Sequence, residues 1–109
     1  MSDPALQDVI AALWAKYEGL TRERLARVEL ALEYAEKGAL TDEMRFDAIA
    51  EAHKLAGSLG TFGMADASKA ASRIESGLND LPLEASKLHR MRAFSNRIRE
   101  AIDRRRNAA

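Results

Sequence analysis

His53 is the side chain of this 109-residue chain best suited to chemistry. It stands in Ala52-His53-Lys54-Leu55-Ala56-Gly57-Ser58-Leu59-Gly60-Thr61-Phe62-Gly63-Met64, a run of helix formers interrupted by glycines. On a helix, at about 100° per residue, Ala48, Ala52, Leu55, Leu59 and Phe62 fall in one narrow arc, with Ile49 and Ala56 beside it. That arc is the expected core face. His53 lies about 110° from its centre, on the flank. Phe46, Ala50, Gly57, Gly60 and Met64 share its line, at steps of 4, 3, 4, 3 and 4.

Two of those residues are glycines, and glycine inside a helix costs about 1 kcal/mol against alanine. At Gly57 the better reason for the cost is access. Without side chains beyond it, the imidazole stands clear and another protein's backbone can approach. Phe46, Ala50 and Met64 then form an apolar rim for docking. For Gly60 and Gly63, ending the helix is an equally good reason. No carboxylate occupies the positions three or four away from His53, which are Ile49, Ala50, Ala56 and Gly57. Its own helix therefore offers no partner that would hold a proton on the ring, and the neutral imidazole is the nucleophilic form.

Other candidates are weaker. His89 sits in Lys-Leu-His-Arg-Met-Arg, among cations and without a nearby glycine, and reads as a surface residue. Asp47 and Glu51 read as a four-residue pair on the solvated side of the helix, and with Glu75 they form no recognisable acid–base pair. There is no cysteine, so thiolate catalysis, disulfides and zinc–thiolate sites are excluded. No glycine-rich phosphate loop precedes a helix.

The elements that must position His53 read as helices throughout. Ala, Leu, Glu, Lys and Arg dominate, and no sustained apolar/polar alternation occurs. Asp3 and Pro4 open a short first helix whose apolar face is Leu6, Val9, Ile10, Leu13, Trp14 and Tyr17, with Gly19 as its end. A second helix starts at Thr21, carries Leu25, Val28, Leu32 and Ala35, and ends at Gly38. A third starts after Thr41 and runs to about Gly60. A fourth begins near Met64 or Ala65, with Ala67, Ala71, Ile74 and Leu78 inward. A fifth begins near Pro82, with Leu88, Met91, Ser95, Ile98 and Ile102 inward. Short connections make neighbours antiparallel. The expected fold is all-α: one domain over 1–109, an up-down antiparallel four-helix bundle over 21–109, with residues 1–18 as a short N-terminal capping helix.

Net charge is zero but unevenly spread. Residues 1–83 carry nine Lys/Arg against fourteen Asp/Glu, a net of −5, and residues 84–109 carry eight against three, a net of +5. The simpler reading of the second figure is a solvated, arginine-rich last helix. No aromatics interleave Arg97, Arg99 and Arg104 to Arg106, so nucleic acid is not an expected partner. No run of 18 apolar residues and no signal-peptide pattern occurs, so neither membrane insertion nor export is expected.

At the His53 stretch the sequence resembles the histidine phosphotransfer (HPt) domains of bacterial two-component phosphorelays. Their pattern is His-x-Leu-Lys-Gly-Ser/Ala, a glycine near the helix end, then small and apolar residues leading to Leu-Glu. Here it is met by His53-Lys54-Leu55-Ala56-Gly57-Ser58, then Gly63, Ala67, Ala71 and Ile74-Glu75. The Gly60-Thr61-Phe62-Gly63 run is similar to the corresponding stretch of chemotaxis-kinase phosphotransfer domains. One position departs from the pattern: Ala56 stands where the family usually has lysine, and Lys54 follows the histidine instead.

The resemblance implies that His53 is the phosphoacceptor, with Lys54 supplying positive charge near it. Phe46, Ala50, Gly57, Ser58, Gly60 and Met64 would be the receiver-docking surface. The implied partners are response-regulator receiver domains and a sensor histidine kinase. The receiver would supply Mg²⁺, so no cofactor of the chain's own is expected. The implied protein is a cytoplasmic monomer, a transfer intermediate rather than a self-sufficient kinase. A bundle of the same shape acting only as a binding module is the alternative. A histidine-kinase dimerisation domain fits less well, because those resemble His-Glu-x-x-x-Pro, whereas here Lys54 follows and no proline comes before Pro82.

Overall fold

The computed structural model describes residues 3–107, and its regular structure is entirely helical. Helix α1 spans Pro4–Glu36, α2 Asp42–Thr61, α3 Ala65–Asn79 and α4 Ala85–Asn107. Local chemistry accounts for most of these limits. The Asp3 carboxylate accepts from the Ala5 amide at 3.0 Å, with Pro4 in the first turn. Thr41 caps α2 by accepting from the Met44 amide at 3.1 Å. Helices α1 and α2 end the same way. Gly38 (φ 68°) and Gly63 (φ 80°) take the left-handed conformation, and the next amides, of Ala39 and Met64, reach back to the carbonyls of Tyr34 and Leu59 at 2.8 Å each.

Three expectations are corrected. Residues 4–18 are not a separate capping helix but the first half of α1, which runs through Gly19 without a break. Thr21, read as an N-cap, is buried inside the helix, and its hydroxyl donates to the Tyr17 carbonyl at 2.9 Å. The buried stripe explains the continuity: Trp14, Thr21, Leu25, Val28 and Leu32 lie on one face across the glycine. One glycine costs about 1 kcal/mol, and a shared buried face on both sides outweighs it. Pro82, expected at the start of the last helix, lies in the loop before α4.

Each helix packs on the next in the chain, and α4 packs back on α1. The core between them holds Leu25, Val28 and Leu32 of α1, Ala48, Ala52, Leu55 and Leu59 of α2, Ala67, Ala71, Ile74 and Leu78 of α3, and Leu88, Met91, Ile98 and Ile102 of α4. Ion pairs tie the outer edge of α1 to α4: Arg22 to Asp103 at 2.9 Å, Glu29 to Arg99, and Glu36 to Arg92 at 2.6 Å. As the α1 position rises by seven, its α4 partner falls by four and then seven. Among the described residues, no helix is long and apolar enough to cross a membrane.

Candidate functional site

The α2/α3 seam is built from small residues. The Ser68 hydroxyl donates to the Ala56 carbonyl at 2.7 Å, and a Cβ added to Gly60 would come within 3.3 Å of the Ser68 oxygen. Gly60 is thus explained by close packing on α3 rather than by ending α2, which Gly63 does. The seam also sets the register. Two turns back from Gly60 stands His53, and two turns on from Ser68 stands Glu75. The His53 Nδ1 lies 3.1 and 3.2 Å from the two Glu75 carboxylate oxygens.

This contact assigns the two ring nitrogens different tasks. An ionised carboxylate only accepts, so Nδ1–H donates and the proton is held on that nitrogen. In the neutral ring Nε2 then carries the free lone pair. The His53 side chain is 76% exposed and that of Glu75 28%. The site is therefore an oriented imidazole with its nucleophilic edge toward solvent. Sequence reasoning looked for a carboxylate on the histidine's own helix and found none. The partner comes from α3: it is Glu75, which belongs to the family pattern but whose pairing with His53 no spacing along one helix shows. The signal that could have found it is the small-residue seam, since Ala56 and Gly60 facing Ser68 place position 75 against position 53.

The other expected residues divide. Phe46, Ala50 and Gly57 are exposed on the same outward side of α2 as His53. The Arg45 guanidinium covers the Phe46 ring at 4.6 Å. A Cβ added to Gly57 would meet nothing within 4 Å, so packing does not require glycine there. Ser58 and Met64 are half-buried, and Met64 packs against the core.

Lys54 lies on the opposite flank of α2. Its ammonium is 3.7 Å from Glu51, which also receives Arg24 at 3.5 Å and Arg27 at 3.4 Å from α1. Glu51 is buried, not part of a solvated pair with Asp47 as its spacing suggested. His89 is exposed on α4, beside Glu36 and Arg92 in a shallow groove.

The family model described as Hpt domain matches residues 12–108. The chain belongs to the Hpt domain family. Membership implies histidine phosphotransfer in phosphorelays, and Hpt domains interact there with receiver domains and kinases. No curated protein and no solved structure matches the chain significantly. In an Hpt domain the histidine able to react must be reachable by a partner. Of the two here, His53 has both the open approach past Gly57 and a carboxylate holding its far nitrogen.

Proposed function

We propose that the chain is a phosphorelay intermediate in a two-component system, with His53 carrying the phosphoryl group. Nε2 attacks the phosphorus of an aspartyl phosphate on a receiver domain. The N–P bond forms as the P–O bond to the aspartate breaks, and the aspartate leaves as carboxylate with the electron pair. Nδ1 keeps its proton, so the phosphorylated ring bears positive charge opposite Glu75. Transfer onward to a second receiver is the same step in reverse, and a sensor histidine kinase is the other class of donor. Such transfer depends mainly on positioning and charge stabilisation. The receiver brings Mg²⁺ and the acidic pocket, and this chain brings an oriented nucleophile.

In this reading residues 1–109 act as one cytoplasmic Hpt unit whose helices alternate up and down. The opposed numbering of the α1–α4 ion pairs supports that order. The receiver docks on the outward face of α2 around Phe46, Ala50 and Gly57, bordered by Ser58, Gly60 and Met64. Lys54 adds positive charge from the α1 side. The observation that carries the proposal is the exposed His53 ring with Nδ1 engaged by Glu75. One observation favours the alternative of a binding module without transfer: Ala56 replaces the family's lysine.

Incubation with a phosphorylated receiver separates the two. An acid-labile, base-stable phosphate on the chain is expected. It should be lost completely in His53→Gln, where glutamine keeps the helix, and retained in His89→Gln. Receiver binding without any transfer would instead establish the binding module.

A further inference from the structure

The positive charge of the last helix is not spent evenly around it. On the α1 side of α4, Arg92 and Arg99 pair with Glu36 and Glu29, and Asp103 pairs with Arg22. The α3 side differs. There a groove of about 420 Å³ lies between α3 and α4, lined by Lys69 and Arg73 from α3 and by Arg97 and Arg104 from α4. All four cations are exposed. Among the described residues, none of the four belongs to an ion pair. Two carboxylates, Asp66 and Glu100, share the lining, so positive charge is in excess.

Two of the cations are fixed in place. Phe94 is half-buried against the core, and the guanidinium carbons of Arg97 and Arg73 lie over its ring, 5.6 and 5.9 Å from the centre. Stacking holds a guanidinium by its face and leaves its N–H edge available. The groove thus has two cationic levels. Arg73 and Arg97 stand beside Phe94. Lys69 lies one turn, about 6 Å, before Arg73 on α3, and Arg104 two turns, about 10 Å, beyond Arg97 on α4. Arg104 also lines an adjoining hollow at the start of α3.

We propose that this groove docks an extended acidic segment of a partner protein, with carboxylates on alternate residues meeting the two cationic levels. An extended chain puts alternate side chains on one side about 7 Å apart, within the span from one level to the next. The mixed lining favours a peptide over nucleic acid. Asp66 and Glu100 accept hydrogen bonds, which a peptide backbone can donate, whereas a phosphodiester linkage offers only acceptors and more negative charge. The Phe94 ring, covered by guanidinium groups, is no stacking platform for a base. On α3, position 73 lies about 160° around the helix from position 75. A segment in the groove therefore leaves the His53–Glu75 edge uncovered. Charge complementarity of this kind serves specificity and the rate of encounter more than affinity.

Amide NMR of the full chain, titrated with an eight-residue Asp-Gly repeat, reads the site directly. Saturable shifts are expected within 66–73 and 94–104, with Kd from about 0.1 to 1 mM at low salt, and binding about tenfold weaker at about 0.3 M salt. An Asn-Gly repeat should not bind. Arg73→Gln and Arg97→Gln should each weaken binding about threefold, and together about tenfold, with helical circular dichroism unchanged. Lys16→Gln removes the same charge at an exposed position outside the groove and should bind as the native chain does. No shifts up to about 5 mM peptide would overturn the proposal. So would shifts spread over cations outside the groove, or an equal loss in Lys16→Gln. A five-nucleotide oligothymidylate carries the same four charges as the peptide. If it shifts the same amides and binds more tightly, the groove belongs to nucleic acid and the proposal fails.

Discussion

Helix α2 carries a carboxylate contact on each flank, and the two contacts have opposite characters. On the α3 flank, the half-buried Glu75 carboxylate reaches a single side-chain partner, the Nδ1 of His53, whose ring is open to water. On the α1 flank, Glu51 has only 7% of its side chain exposed and receives three cations, Arg24, Arg27 and Lys54. The first arrangement orients a reactive group and leaves it free. The second joins helices and leaves nothing free. Residue type does not separate them, since both are glutamates facing basic groups. Their burial and the number of their partners do: a buried carboxylate needs several compensating charges, and a carboxylate serving a surface nucleophile needs one well-aimed contact.

The largest effect is expected on the buried flank. Glu51→Ala removes the shared anion of three cations. Each cation is partly exposed and can turn to water, so the cost falls below that of a fully buried pair, at about 2 kcal/mol. Thermal unfolding should show Tm lower by roughly ten degrees. Phosphotransfer by the protein that remains folded should stay within about twofold of normal. An unchanged Tm would mean that the Glu51 cluster does not hold α1 to α2, and the contrast between the flanks would collapse.

On the reactive flank the expected effect is kinetic. Glu75→Ala removes the acceptor that keeps the proton on Nδ1 and faces the charge formed on phosphorylation. Partial exposure keeps this contact near 1.4 kcal/mol, or about a tenfold loss in transfer rate, with little change in Tm. Glu75→Gln sharpens the test. Its amide oxygen still accepts from Nδ1–H but carries no charge. A rate near that of the native protein would show that orientation of the ring matters most, and a rate near that of Glu75→Ala would show that charge does. If Glu75→Ala transfers at the native rate, the contact has no part in the reaction.

The contrast also shows what could be read from sequence. The inward faces of all four helices were legible, because Leu25, Val28 and Leu32, or Ile74 and Leu78, repeat at helical steps that only a buried face requires. The exposed flank position of His53 followed from the same geometry. The continuity of α1 was misread at Gly19 and Thr21, although the same residue types at Gly38 and Thr41 do stop and start helices. The difference is register: Trp14 and Leu25 are eleven residues apart, three full turns, so one stripe crosses Gly19, whereas the chain between Gly38 and Thr41 leaves helical geometry. Glu75 and Glu51 were illegible for another reason. Their partners lie on other helices, and a period along one helix says nothing about what its neighbour brings.

Lys54 is the residue on which the two flanks could prove less separate. It follows His53 directly, but about 100° of helix rotation carries it to the α1 side, where its ammonium lies 3.7 Å from Glu51. That contact is long and half-exposed, of the kind worth only about 0.3–0.5 kcal/mol, so Lys54 can leave it for a phosphoryl group at modest cost. If its main bond is to Glu51, Lys54→Met should slow transfer by no more than about threefold, near 0.6 kcal/mol, and shift Tm only slightly. Ala56→Lys supplies the complementary test. Position 56 lies one turn beyond His53 on the α3 side, half-buried at the seam where its carbonyl takes the Ser68 hydroxyl. A lysine there keeps its stem along the seam and its ammonium at the surface, on the same flank as the imidazole. The Ala56→Lys rate should equal or exceed the native rate, and adding it to Lys54→Met should recover what that variant lost. A tenfold loss in Lys54→Met at unchanged Tm, with no recovery by Ala56→Lys, would mean that the ammonium on the α1 flank reaches the reacting phosphoryl group, and Glu51 would then be holding part of the site as well as the fold.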